Sequence, residues 1–237
     1  MTGGSAVRRI RNNVATIGLI RTLHDLSLRA ANRVLLIKIL KAMAIERVNT
    51  AYLGCPEPYR PMFLDDKMLR EFSRDPSNDL PGSFLEEALS EGDQCFGILA
   101  GETLAAYGWY SRRPTPIDPP DLELHPGDRY VYMYKGFTHP DHRGRRLHAI
   151  GMTLALQHYL AEGFKGLVSY VESNNFSSLN SVFRMGYETF GTVLVLKIFG
   201  VYLTHASAGC QAHGVRIEPA VPGPMSRAGV LAGGPRP

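Results

Sequence analysis

The residues best equipped to do chemistry lie in one run, HPDHRGRRLH, from His139 to His148. Pro140 ends any extended segment that enters it, and Gly144 stands among Arg143, Arg145 and Arg146. A turn that opens a helix exposes backbone N–H groups that have no intrahelical partner, and the helix dipole adds positive potential there. Gly144 removes a side chain where an anion would approach the backbone, and the three guanidinium groups supply permanent charge. The chemistry is that of a phosphate or pyrophosphate seat.

Such a turn needs a strand before it and a helix after it. Residues 129–138 are rich in Tyr, Val, Met and Phe, which predicts the strand. Leu147, Ile150, Leu154, Ala155 and Leu156 recur at three- and four-residue steps, which predicts an amphipathic helix over 146–160. A further strand is expected over 167–171. Asn175, with Ser178 three residues on, then opens a helix that ends in Arg184, Met185, Gly186 and Tyr187.

This succession, carried by Gly136 to Thr138, the HPDHRG run, Asn175 with Ser178 and the RMGY ending, resembles the Gcn5-related N-acetyltransferase (GNAT) superfamily. The resemblance implies an α/β fold with a GNAT-like mixed, mainly antiparallel twisted sheet and helices on both faces, here with an N-terminal helical extension. It implies an acyltransferase that moves an acetyl or other acyl group to an amine. Acetyl-CoA or another acyl-CoA would be the co-substrate, with no metal. Carried over by position, Phe137 and Thr138 would pair with the pantetheine arm. Arg143, Gly144, Arg145, Arg146, Leu147 and His148 would surround the pyrophosphate, and Asn175 would reach the pantetheine.

Two positions depart from the family pattern. The usual R-G-x-G reads R-G-R-R, so Arg146 occupies a small residue's place and either aims outward at a phosphate or blocks the site. Val182 occupies the helix position that often holds a Tyr near the cofactor sulfur, so the usual general acid is missing. Tyr134, on the strand before the turn, and Glu172, at the end of the following strand, are the catalytic candidates. His139 and His142 are read as shaping the turn.

Composition bounds the remainder. The 237 residues suit one domain plus extensions, and 44% apolar with 20% charged residues is the balance of a soluble globular chain. Cys55, Cys95 and Cys210 are too scattered for a zinc site or a disulfide framework. No run reaches the roughly 20 apolar residues of a membrane span, and Arg21 and Asp25 spoil a signal peptide. A cytoplasmic protein is expected.

Residues 1–47 hold nine Lys or Arg against Asp25 and Glu46, a local charge of +7 in a chain of net +4. Such a segment suits an anionic partner, whether nucleic acid, a membrane surface or an acidic carrier protein. The lack of interleaved aromatics favours a solvated helix face instead. Leu19, Leu23, Leu26, Ala30, Val34, Ile37, Leu40 and Ala44 trace one stripe, predicting a helix over 17–45. Its apolar second half would dock on the chain's own body or on a second subunit, giving a homodimer, or lie on a membrane.

Residues 47–64 read as a linker. Helices are expected over 65–74 and 83–92, the second with a Ser83–Glu86 capping box. A hairpin is expected over 95–100 and 103–111, with its aromatics in the core. Residues 112–127 read as a proline-rich loop, 190–202 as one or two strands, and 205–237 as disordered. The organisation expected is therefore a basic N-terminal helical extension (1–47), a GNAT acyltransferase domain (48–204) and a Gly/Ala/Pro-rich tail (205–237). The acceptor, a small-molecule or protein amine, is not legible. Two rival functions stand beside the first: an N-acyltransferase using longer acyl chains from CoA or acyl carrier protein, and a non-catalytic GNAT-like binding module.

Overall fold

The computed structural model describes residues 14–16, 18–31, 36–118 and 121–220. Helix α1 (Leu19–Ala31) leads to strand β1 (Leu36–Ile45), followed by β2 (Tyr59–Leu64), α2 (Asp66–Phe72) and α3 (Gly82–Ser90). A hairpin of β3 (Gln94–Ala100) and β4 (Thr103–Ser111) precedes the short strands β5 (Thr115–Pro116) and β6 (Leu122–His125). Then come β7 (Tyr130–Thr138), α4 (Leu147–Ala161), β8 (Gly166–Glu172) and α5 (Phe176–Met185). The hairpin of β9 (Glu188–Ile198) and β10 (Val201–Ala206), helix α6 (Ala208–His213) and β11 (Arg216–Pro219) complete the described chain.

Eight strands form one sheet in the order β10-β9-β1-β8-β7-β4-β3-β2, and β11-β6-β5 form a small second sheet. Among the described residues every pairing is antiparallel except β7 with β8. Helices cover both faces, as the family resemblance implied. On one face, α4 and α5 bury Met152, Leu156, Tyr159 and Met185 against Met43, Ile45, Val131 and Leu167. On the other, α2 and α3 bury Leu69, Phe84 and Leu85 against Leu99, Tyr107 and Trp109. Beyond them on that face the small sheet and α6 cover Leu40, Ala42, Val193 and Val195. Tyr107, Trp109 and Tyr110 are core residues, as expected.

Three expectations need correction. The predicted helix over 17–45 is two elements, since residues 36–45 form a strand between β8 and β9. A strand covered on both faces loses its polar alternation and reads as a continuous apolar run, which a helical stripe also fits. Residues 59–64 of the supposed linker form β2. Pro61 is tolerated there because β2 is an edge strand and one side of its backbone needs no ladder partner. Residues 205–220, expected to be disordered, close the fold through the end of β10, α6 and β11, with Cys210, Val215 and Ile217 buried. Residues 221–237 lie outside the described residues. A smaller correction concerns α3, which starts at Gly82 behind Pro81 and has no side-chain cap, so the Ser83–Glu86 box is not formed.

Helix α1 rests on the turn that feeds α5. His24 Nε2 lies 3.0 Å from Ser173 Oγ, Asn174 donates to Asp25 at 3.2 Å, and Arg21 lies over the Phe176 ring at 5.4 Å. Its outer side exposes Leu19, Ile20 and Leu23. No described helix is long and apolar enough to cross a membrane.

Candidate functional site

The site is opened by a parting of strands. β7 and β8 pair only through Tyr130–Gly166, Val131–Leu167 and Tyr132–Val168, although β7 continues to Thr138 and β8 to Glu172. The cause is a bulge. Trp109 of β4 faces Lys135 and its neighbour Tyr110 faces Met133, so Tyr134 is the extra residue and the strand is re-aimed there. From Met133 onward no described strand pairs with the β8-facing edge of β7.

A cleft of about 590 Å³ fills that opening. One wall is β7, through Met133, Gly136, Phe137 and Thr138. The facing wall is α5, through Ser177, Ser178, Ser181, Val182 and Met185, with His148, Arg143 and Asp79 completing it. Met185 shares a core cluster with Met133 and Val182 packs against it, so they form the deeper part of the α5 wall. Ser177 and Ser178, at the start of α5 and outside that cluster, form its outer part.

The basic turn forms the rim. Pro140–His142 makes one 3-10 turn, Gly144 has φ +77° with open space where a Cβ would stand, and α4 begins at Leu147. Arg146, the N-cap, has φ 61° and forms no side-chain cap, and the first turn of α4 carries no acidic residue. The amides at that helix start have no side-chain acceptor, so they are available to an anion. The left-handed backbone at Arg146 explains why the family pattern has a small residue there: glycine takes that conformation without strain.

The predicted donor-site residues divide into three groups. Phe137, Thr138, Arg143 and His148 line the cleft. Burial pushes the His148 imidazole below its ordinary pKa, so it is neutral near pH 7. Gly144 and Arg146 shape the rim. Arg145 turns aside, donating to the Tyr59 hydroxyl at 2.7 Å, and that hydroxyl lies 3.1 Å from His142 Nδ1. Leu147 is buried with Ile98 and Ala106, so it anchors α4 and does not touch the cleft. Asn175 is the N-cap of α5, its Oδ1 accepting from Ser178 N at 3.1 Å.

Neither catalytic candidate is itself a lining residue, but Tyr134 adjoins Met133, which is, at the bulge where the cleft ends. The Glu172 carboxylate is engaged by Lys38 Nζ at 2.7 Å, and the same ammonium reaches Asp118 Oδ2 at 2.6 Å. Tyr134 donates its hydroxyl to Asp93 Oδ2 at 2.8 Å, with Asp93 buried behind α3. Sequence reasoning missed Asp93, Asp79, Tyr59, Ser177 and Ser181, and singled out Ser178 only as the partner of Asn175. Their roles come from tertiary contacts, and only the helical spacing of Ser178, Val182 and Met185 marked a shared face.

The splayed parallel pair, the bulged central strand and the basic turn at a helix start define an acetyltransferase fold. The chain belongs to the acetyltransferase (GNAT) family, whose sequence model matches residues 58–187. No curated protein sequence matches it. Among similar solved structures are a GNAT-family acetyltransferase of Novosphingobium aromaticivorans (16% identity, 67% of this chain and 62% of that one, TM-score 0.46) and a GCN5-related N-acetyltransferase-like protein of Streptococcus suis (13%, 72% and 65%, 0.46). A third is a GNAT acetyltransferase of Colwellia psychrerythraea (15%, 67% and 55%, 0.45). The chain thus spans less than two thirds of the length of each.

Proposed function

We propose that the chain is an acyl-CoA-dependent N-acyltransferase, with the cleft between β7 and α5 as its donor site. The observation that supports this most is the edge of β7 beyond Tyr132, which β8 does not follow among the described residues and which leads to the start of α4. An extended pantetheine arm can add to that edge as a strand would. The pyrophosphate then meets Arg143, Gly144 and the start of α4, where both charge and helix dipole favour it.

On this reading, chemistry takes place at the deep end of the cleft, beside the bulge. The amine nitrogen of the acceptor attacks the thioester carbonyl carbon, and the carbon–sulfur bond breaks as the new amide forms. Tyr134 is proposed to accept the proton released by the amine as its own passes to Asp93 Oδ2. The departing thiolate takes its proton from solvent, because Val182 has none to give. Glu172 is proposed to serve as an anchor for Lys38.

Calorimetric titration of the full chain with CoA tests the donor site. Saturable binding is expected, weakened at least about tenfold by Arg143→Ala with Gly144→Glu, which removes a phosphate partner and adds a like charge to the seat. Equal affinities would overturn the assignment. Thiol release from acetyl-CoA over a panel of amines then separates a transferase from a binding module.

A further inference from the structure

The deep end of the cleft is apolar where the family pattern often places a phenol. Val182 occupies that position, and its neighbours there are Met133 and Met185, which are 9% and 5% exposed. Val182 and Leu179 pack against a core cluster that holds both methionines and Val171. Two consequences follow from this composition. Valine is smaller than tyrosine and carries no hydroxyl of its own, so the one hydroxyl beside it on the α5 wall is that of Ser181, among the described residues. Methionine is unbranched and rotates about three bonds, so a wall of two methionines can re-pack around an inserted chain. The polar wall residues Ser177 and Ser178, by contrast, stand near the rim, where the polar arm of the cofactor would lie.

Resting on the acyl-CoA reading above, we infer that the acyl group this site takes is longer than acetyl: a straight aliphatic chain from butyryl to hexanoyl, received between Met133, Val182 and Met185. The physical basis is burial. Each methylene removed from water is worth about 0.8 kcal/mol, or about a fourfold change in affinity. An acetyl group leaves that apolar surface uncovered, whereas a butyryl chain places two further methylenes against it. Val182 is then the residue that sets chain length.

The test is titration of the full chain with CoA, acetyl-CoA, butyryl-CoA and hexanoyl-CoA. Butyryl-CoA is expected to bind about tenfold more tightly than acetyl-CoA, with hexanoyl-CoA at least as tight. Val182→Tyr should bring the butyryl-to-acetyl ratio close to one, its fold being checked by circular dichroism and melting temperature. Val182→Ala, a milder change, should move the preference further towards hexanoyl-CoA. A wild-type ratio near one with CoA still bound overturns this inference and leaves the donor-site reading standing. A ratio that neither variant moves also overturns it. Failure to bind any CoA species overturns both readings.

Discussion

His148 closes directly over Gly136: a Cβ added to Gly136 would stand 2.4 Å from Cε1 of the imidazole and 2.9 Å from the Met133 methyl. The strand edge and the first turn of α4 therefore approach each other only because residue 136 has no side chain. Gly136→Ala is expected to drive the imidazole and Met133 into the cleft. The stability cost should be about 1–3 kcal/mol, as for other overpacked sites. CoA affinity should fall with it. Denaturant unfolding and calorimetry on the same variant check both, and unchanged CoA affinity would mean that this approach does not shape the cleft.

The same imidazole makes stability depend on pH. Burial lowers its pKa in the folded chain, so just below its ordinary value the unfolded chain binds a proton that the folded chain refuses. Stability should accordingly decline as pH falls below about 6.5, and His148→Gln should flatten that part of the curve. The slope stays below the limiting value of about 1.4 kcal/mol per pH unit because the ring is partly open to the cleft. Chemical denaturation across this range in the two proteins is the measurement.

Arg146 holds φ 61° at the start of α4 without a cap to compensate for it. Left-handed backbone costs a non-glycine residue about 1–2 kcal/mol, while glycine gives back part of that through a more flexible unfolded chain. Arg146→Gly should therefore stabilise the protein by about 0.5–1 kcal/mol in denaturant melts. It also decides the open question about this arginine. Weaker CoA binding means that the guanidinium helps to hold the anion, and tighter binding means that it obstructs the seat.

Lys38 ties three segments together from strand β1, where a continuation of the N-terminal helix was expected. Its side chain is only 11% exposed and its Nζ reaches Asp118 and Glu172. Burial works against the ammonium, yet the hydrogen bonds to the two carboxylates outweigh it and raise its pKa above the ordinary lysine value. A raised pKa means a contribution present throughout the neutral range and lost only as pH rises through the alkaline region. Lys38→Met should cost about 2 kcal/mol in denaturant melts at neutral pH, less than for a fully buried pair because both carboxylates are partly solvated. No loss of stability would contradict this anchoring role.

Legibility in the sequence followed locality. The strand, turn and helix around Gly144 were readable because glycine, proline and arginine act within a few residues of themselves, and α4 and α5 begin and end within a residue or two of expectation. β1 was not readable as a strand. Its alternate residues face two different apolar layers, one holding Met43 and Ile45 and the other Leu40, Ala42 and Ala44, so no polar face marks its period. α6 and β11 were hidden by composition: Gly209 and Gly214 look like linker residues. At Gly209, however, a Cβ would come within 1.8 Å of the Phe190 carbonyl oxygen, so that glycine is a packing requirement. The place of Val182 is legible from its spacing to Gly186, whereas the partner of Tyr134 is not, because Asp93 lies at the approach to another strand.

Tyr134 is the extra residue of the β7 bulge, which makes it the side chain re-aimed at the point where β7 and β8 part. Its hydroxyl donates to Asp93, a carboxylate 7% exposed. Tyr134→Phe keeps the ring and removes that donor, so it should cost about 1–2 kcal/mol of stability. If the pair also carries the proton away from the amine, kcat should fall by about 10²–10⁴ while KM for the acyl-CoA moves little, and the limb of the pH–rate profile that reports the base should change. Asp93→Asn, which keeps a hydrogen-bond acceptor but not the charge, should reproduce the rate loss with a smaller loss of stability. Full activity in Tyr134→Phe would leave the pair as a brace for the bulge, with proton removal assigned to solvent.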